Sequence, residues 1–199
     1  EAMDYFVRFP ENILGVISDC RFPKGGVKDS EAGLKLLSEF HRRAPFLPLI
    51  MESTETENAE KAEKLGFRFI DKNSKKMNID LRNVMAEHMG FGDLIFRDPK
   101  THEEIRRIRN LKELQDNIFS IPNDSMLYHL SRNHVSRWLC ARAIFPVSEF
   151  LKTVTLEKLR DVDQHRQIIF DAIVQYRHMK NVGTVAVFKR DRFDAYSHF

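Results

Sequence analysis

The chain has 199 residues, of which 42% are hydrophobic and 31% charged, and its formal net charge is +3. This composition is typical of a globular protein with one large or two small domains. The near balance of 32 basic and 29 acidic residues argues against nucleic acid as a partner. Proteins that bind nucleic acid usually concentrate basic residues on one face.

The sequence also indicates a compartment. No apolar run reaches the roughly 18–20 residues that span a bilayer, and the opening Glu-Ala-Met-Asp lacks the basic and apolar regions of a signal peptide. Cys20 and Cys140 are too few and too far apart for a disulfide framework. We therefore expect a cytoplasmic protein that has no membrane partner.

Helix and strand patterns alternate through residues 1–89, with short connections between them. Helical periodicity is followed by a short apolar run three times, which predicts the order α-β-α-β-α-β-α. Such alternation favours a parallel sheet with right-handed crossovers. The predicted strands are 13–18, 48–54 and 67–72, and the intervening loop 23–30 is rich in turn residues.

Each predicted strand ends in a polar residue. The carboxyl ends present Asp19, then Ser53 or Thr54, then Lys72, and in a parallel sheet these ends share one edge. Any one of them alone is most often an ordinary cap or turn residue. Together, in this order, they suit phosphoryl transfer to a carboxylate, which needs a nucleophile, a cation and a hydroxyl.

Three runs carry a resemblance to a known family: Val16-Ile-Ser-Asp19-Cys-Arg-Phe-Pro23, Leu49-Ile-Met-Glu-Ser53 and Phe67-Arg-Phe69-Ile-Asp-Lys72. In these runs residues 1–88 resemble the carboxyl-terminal two-thirds of a response-regulator receiver domain of two-component signalling. The resemblance implies an incomplete flavodoxin-like parallel sheet in an α/β domain, residues 1–89. It further implies roles for four residues: Asp19 as phosphoacceptor, Ser53 as switch hydroxyl, Phe69 as switch aromatic and Lys72 as phosphoryl contact.

The chain also departs from the receiver pattern. Asn73 follows the lysine where the family usually has proline, and Glu52 occupies a position that is normally apolar. The first receiver strand, which carries the acidic pair that binds Mg²⁺, has no counterpart in the sequence. We therefore expect no cofactor bound by this chain, Mg²⁺ only in a complete receiver, and an Asp19 that is silent here.

The strand at 13–18 would lie in the middle of a receiver sheet, and here one of its edges has no predicted partner. An exposed apolar edge strand tends to pair with another chain. We expect a homo-oligomer formed through this edge, or an edge covered by later segments of the chain.

Residues 90–199 have a different pattern, which predicts a smaller, helix-rich α+β module. Short β-like runs predict a β-hairpin, and helical periodicity and breakers indicate four helices and a final β-like run. The predicted ranges are 92–97 and 104–109 for the hairpin, 111–121, about 122–143, 147–152 and 155–180 for the helices, and 182–188 for the last run.

The segment Tyr128–Trp138 is the most distinctive part of this module. One hypothesis is a metal site, but His129 and His134 are five residues apart, whereas helical metal pairs are three or four apart. A second hypothesis is a DNA-recognition helix. The interpretation that we prefer is an amphipathic helix that docks another domain through its polar side, with His129, Arg132, Asn133 and Arg137 as contact candidates and no metal.

A weaker resemblance covers the second half. The hairpin, the turn at 121–125, the 128–139 helix and the segment Arg190–Phe193 are similar to the region before the ATP-grasp domain in bacterial proteins like phosphoenolpyruvate synthase and pyruvate phosphate dikinase. This implies a regulatory, non-catalytic segment of a larger phosphotransferase, whose partners are the other domains. Enzyme activity of the chain itself stays open. The alternative is a response regulator with a DNA-binding output module.

Overall fold

The computed structural model describes residues 1–10, 13–154 and 161–182 of the chain. Within these residues the protein is mixed α/β, with one three-stranded parallel sheet, two antiparallel hairpins and nine helices. None of the helices in these ranges is both long and apolar enough to cross a lipid bilayer.

The parallel sheet lies in the first half of the chain, where the predicted α/β class is confirmed. Its strands are ordered β1-β4-β5, and both neighbouring pairs are parallel. In chain order the elements are α1 (Ala2–Arg8), β1 (Val16–Asp19), β2 (Phe22–Lys24), β3 (Val27–Asp29), α2 (Ala32–Arg43), β4 (Leu49–Ser53), α3 (Glu57–Lys64), β5 (Arg68–Asp71) and α4 (Met77–His88).

The middle strand β4 pairs with both other strands of the sheet. Both of its faces are buried. Leu49 and Met51 pack into the core that contains Leu34, Leu37 and Phe40 of α2. Ile50, between them in sequence, packs instead with Ile70, Met89 and α4 side chains. Such burial on both faces is why a central parallel strand has a nearly continuous apolar sequence.

The other side of β1 has no strand beside it among the described residues. Ile17 of this strand remains 41% exposed. Within the described residues β1 is therefore an edge strand, and both its pairing with a second copy and its covering by later segments stay predictions.

One element of this half was not predicted. Residues 23–30 were expected to form a loop, but β2 and β3 pair as a small antiparallel hairpin. Gly25 and Gly26 connect the two strands with φ of 60° and 82°. A two-residue turn with positive φ at both positions matches the twist of a hairpin, and glycine adopts it without strain.

Helix α2 approaches the end of β1 very closely at Gly33. The N–H of Gly33 donates to the carbonyl of Cys20 at 2.9 Å. A Cβ atom at position 33 would lie 2.1 Å from the backbone oxygen of Asp19. The absence of a side chain at this one position therefore sets how α2 packs against the strand end that carries Asp19.

The second half contains a hairpin and five helices within the described residues. Its core combines Phe96 and Ile108 of the hairpin with Trp138 and apolar residues of the surrounding helices. The elements are β6 (Leu94–Arg97), β7 (Glu104–Ile108), α5 (Leu111–Asn117), α6 (Asn123–Ser131), α7 (His134–Cys140), α8 (Phe145–Thr153) and α9 (Val162–Val182).

The predicted helices of this half need three corrections. The predicted long helix 122–143 is two helices, α6 and α7, because Asn133 adopts a left-handed conformation with φ of 56°. The predicted helix 111–121 ends at Asn117. Pro146 lies in the first turn of α8, where it starts the helix instead of preceding it.

Some predictions fall outside the described residues. These are the cap at Thr155, the first turn of the last predicted helix, the final β-like run after 182 and the segment Arg190–Phe193.

We predict that Gly33→Ala lowers the free energy of unfolding by at least about 3 kcal/mol, because the added methyl group would overlap backbone that cannot move away freely. Urea denaturation measures this change. Gly25→Asn is the control, since no atom lies within 4 Å of that position and Asn tolerates positive φ. Equal stabilities of the two variants would show that the close approach of α2 is not required.

Candidate functional site

Asp19 and Lys72 meet at the carboxyl edge of the parallel sheet. Asp19 is the last residue of β1, and Lys72 directly follows β5. The Lys72 Nζ atom lies 2.7 Å from Asp19 Oδ2. Because β4 lies between β1 and β5, this ion pair spans the end of the middle strand. The sequence placed both residues at this edge, and the structure brings them into contact.

The backbone holds both partners in place. The N–H of Lys72 donates to the carbonyl of Ser53 at 2.9 Å, and the N–H of Cys20 donates to the carbonyl of Glu52 at 3.0 Å. Both hydrogen bonds continue the strand ladders past the ends of the sheet. The Asp19 and Lys72 side chains therefore start from fixed positions on either side of β4.

The electrostatics favour an ionised Asp19. Partial burial acts to raise the pKa of the Asp19 carboxyl, but the hydrogen bond from Lys72 and that from the N–H of Arg21 outweigh it. The pKa is therefore below its ordinary value. Asp19 and Lys72 are 47% and 29% exposed at their side chains, so solvent reaches the pair. An ionised, accessible carboxylate next to an amine is the state that a phosphoacceptor requires.

Ser53 lies at the same edge but faces α3. Its side chain is buried, and its Oγ accepts hydrogen bonds from the N–H of Glu55 and from Asn58 Nδ2, both at 3.1 Å. These contacts anchor the start of α3. The hydroxyl forms no hydrogen bond with Asp19 or Lys72, so its predicted role as a switch hydroxyl stays a prediction.

Phe69 lies on the opposite face of β5 from Lys72. It is in register with Met51 of β4 and packs, partly buried, against the core under α2. Asn73 donates from Nδ2 to the carbonyl of Thr54 at 3.0 Å. This bond ties the segment after β5 to the segment after β4.

The carboxylates near this edge do not fit Mg²⁺. Within the described ranges no three or more His, Cys, Asp or Glu side chains are grouped so that they could hold a metal ion. Mg²⁺ requires a nearly octahedral set of oxygen ligands, and Glu55 is already paired with Arg21. The expectation that this chain binds no Mg²⁺ stays a prediction.

The structure brings together two histidines that the spacing argument had separated. Since Asn133 breaks the helix, α7 folds back on α6 and His134 Nδ1 lies 3.1 Å from His129 Nδ1. His129 is 6% exposed and packs against the Phe96 ring at 4.6 Å between centroids. The sequence had placed His129 on the polar side of one long helix, and this placement is wrong.

Both histidines are neutral at physiological pH. Burial, and then the positive charges of Arg132 and Arg97, lower the pKa of His129 to about 4. Burial, and then His129 and Arg137, lower the pKa of His134 to about 3. Two neutral rings share one N–H between their facing Nδ1 atoms, so one ring donates and the other accepts.

Arg132 and Arg137 both donate to backbone carbonyls. Arg132 also contacts an aromatic ring. Arg132 lies 4.0 Å above the Tyr128 ring. Arg137 donates to the carbonyl of His88 at 3.2 Å and to that of Phe46 at 2.5 Å, and burial lowers its pKa to about 10. Arg137 thus contacts the 1–89 part of the same chain. Docking of a further domain by these residues stays a prediction.

Sequence reasoning missed two arginines that bind backbone carbonyls, one of them buried. Arg142 donates to the carbonyls of Gly90 and Gly92, each at 2.8 Å. Arg166 is 2% exposed and binds the carbonyls of Ile118 and Ile121. No local pattern marks an arginine whose partners are carbonyls about 50 residues away.

No protein-family model matches the chain, and neither the curated proteins nor the solved structures yield a match. The fold and the site therefore define the class: a mixed α/β protein with an Asp–Lys pair at the carboxyl edge of a parallel sheet.

We predict that Lys72→Met raises the pKa of Asp19 above its value in the unsubstituted protein, since the effect of burial would then be opposed only by backbone hydrogen bonds. Carbon NMR titration of the carboxyl group measures this. The unfolding free energy should change by less than about 1 kcal/mol because the pair is partly exposed. The control is Lys35→Met, which removes a lysine that pairs with Asp29. It should leave the pKa of Asp19 unchanged.

The histidine pair predicts a loss of stability in mild acid. Because the pKa values of His129 and His134 are lower in the folded state than the ordinary 6.5, the unfolded chain binds more protons as the pH falls. Each histidine should lower the free energy of unfolding by up to about 1.4 kcal/mol for each pH unit that the pH falls between about pH 6.5 and pH 4.5.

Urea denaturation across this range tests the effect. The double variant His129→Gln and His134→Gln should have a flatter pH dependence, whereas His178→Gln, at an exposed position, should behave like the unsubstituted protein. An unchanged slope in the double variant would contradict burial of the pair.

Proposed function

We propose that the chain is a regulatory, non-catalytic segment of a larger phosphotransferase similar to phosphoenolpyruvate synthase. Residues 1–89 act as a receiver-like signalling module with a flavodoxin-like sheet, and the residues from 90 onward act as an interdomain module. The observation that carries this proposal is the 2.7 Å contact between Lys72 Nζ and Asp19 Oδ2. It places a nucleophilic carboxylate and a cation together, the arrangement that phosphoryl acceptance needs.

In this proposal Asp19 is a phosphoacceptor of the complete protein and is silent in the 199-residue chain. Two features support the silent state. Among the described residues no three or more His, Cys, Asp or Glu side chains are grouped so that they could hold a metal ion. The Ser53 hydroxyl is occupied by hydrogen bonds at the start of α3 and is not directed to the carboxylate.

Contacts of α7 support the coupling role. Arg137 binds the carbonyl of Phe46, which follows α2, and the carbonyl of His88, which ends α4. Both α2 and α4 pack on the sheet that presents Asp19. A change at the sheet edge that shifts either helix would therefore reach the second half through one side chain.

The alternative, a DNA-binding output module, gains no support from the geometry. Five of the seven residues of α7 are buried, namely Val135, Ser136, Trp138, Leu139 and Cys140. A recognition helix must instead expose its side chains to base edges. A gel shift that weakens steeply with salt would nevertheless favour this alternative.

The decisive experiment treats the complete protein and the 199-residue chain with phosphoramidate and Mg²⁺, followed by intact-mass measurement. We expect one phosphate on the complete protein, its loss in Asp19→Asn, and no phosphate on the chain alone. Asp71→Asn is the control, because Asp71 lies at the end of the neighbouring strand β5 and has no contact with Lys72 Nζ among those described.

Three outcomes would contradict the proposal. Phosphorylation of the complete protein that persists in Asp19→Asn would remove Asp19 from the mechanism. Labelling of Asp19 in the 199-residue chain would show that the chain is a working receiver. Turnover of ATP and pyruvate by the chain alone would also overturn its non-catalytic assignment.

A further inference from the structure

A polar cavity lies where the connection between the two halves meets the β6–β7 hairpin and helices α6 and α7. Its volume is about 630 Å³, which is within the size range of small-ligand pockets. Arg97, His129, His134 and Arg137 contribute to its wall. The cavity is separate from the Asp19–Lys72 pair, and the inference below does not depend on the proposed function.

His129, which lines this cavity, has a buried hydrogen-bonding group without a partner among the described residues. Its side chain is more than nine-tenths buried, and its Nε2 atom has no hydrogen-bond partner among the described residues. When His134 Nδ1–H donates to His129 Nδ1, the proton of the neutral His129 ring is on Nε2. A buried N–H without an acceptor lowers the stability of the folded state, so an acceptor at this position would stabilise the protein.

The charges that line the cavity are unevenly compensated. Asp93 pairs with Arg107 at 3.2 Å, and Asp98 accepts the N–H groups of its own turn. The Glu87 side chain is 72% exposed. Arg97 and Arg137, in contrast, donate to backbone carbonyls and form no ion pair with any carboxylate in the described ranges.

Positive charges act on the ring of His129. After burial, which is the main cause, the charges of Arg132 and Arg97 lower the pKa of His129. A divalent cation would be repelled by the same arginines, and a negative group would be attracted.

We propose that this cavity binds a small oxyanion, the phosphate or carboxylate group of a small molecule, with Arg97, His129 and Arg137 as its contacts. Guanidinium groups match the planar and tetrahedral oxygen arrangements of such anions and form charge-assisted hydrogen bonds with them. The Nε2–H of His129 supplies a neutral donor. The anion would accept a hydrogen bond from the buried His129 donor and offset the positive charges of the two arginines.

The test is a titration of the 199-residue chain with inorganic phosphate and, separately, with citrate, at about 0.15 M NaCl. Nitrogen NMR of the histidine rings and arginine side chains reports binding at each group. We expect saturable shifts at His129 and Arg97 with a dissociation constant of about 1 mM or tighter. A response to phosphate alone assigns a phosphorylated ligand, and a response to citrate alone assigns a carboxylate.

Variants distinguish a specific binding site from nonspecific attraction of the anion to positive charge. Arg97→Gln should weaken binding at least about tenfold, and His129→Phe, which keeps an aromatic ring against Phe96, should do the same. Arg106→Gln should bind as the unsubstituted protein does, because Arg106 is an exposed arginine of the same hairpin that does not line the cavity.

Three results would overturn the inference: no saturable shift with either anion, equal weakening in Arg106→Gln and Arg97→Gln, or shifts confined to Lys72. Loss of phosphorylation at Asp19 would leave this inference unaffected, so its failure and that of the proposed function are distinguishable.

Discussion

The segment that joins the two halves is held by side chains of α7 and the turn after it. Arg137 binds the carbonyl of His88, Trp138 Nε1 donates to the carbonyl of Gly92 at 3.1 Å, and Arg142 binds those of Gly90 and Gly92. Gly90 has φ of 85°, and a Cβ there would lie 2.9 Å from Trp138 Cα. Side chains of α7 and of the turn after it therefore tie the joining segment to the second half.

This arrangement follows from the demand of buried polar groups for partners. Irregular backbone at the joint between the halves has carbonyls that no helix or strand satisfies. Long arginine side chains reach them from α7, and their charge strengthens each hydrogen bond. Burial, together with the positive charges of nearby arginines, lowers the pKa values of His129 and His134.

The two candidate sites differ in how far the sequence predicted them. The carboxyl ends of parallel strands share one edge, so Asp19 and Lys72 could be placed together from strand order alone. The contact of His129 with His134 could not, because it depends on a left-handed Asn133 inside a continuous helical pattern. The hairpin β2–β3 was missed for a similar reason: its three-residue strands are too short for a period-2 pattern.

The sequence by itself determined the alternation of elements in the first half, the parallel sheet, and the polar residues at its carboxyl edge. These features follow from local apolar periodicity and turn residues, which act over a few residues. Only the tertiary structure decided where the arginines and histidines of the second half find partners. Those partners are backbone carbonyls and rings distant in sequence, and a carbonyl, which every residue carries, leaves no mark in the sequence.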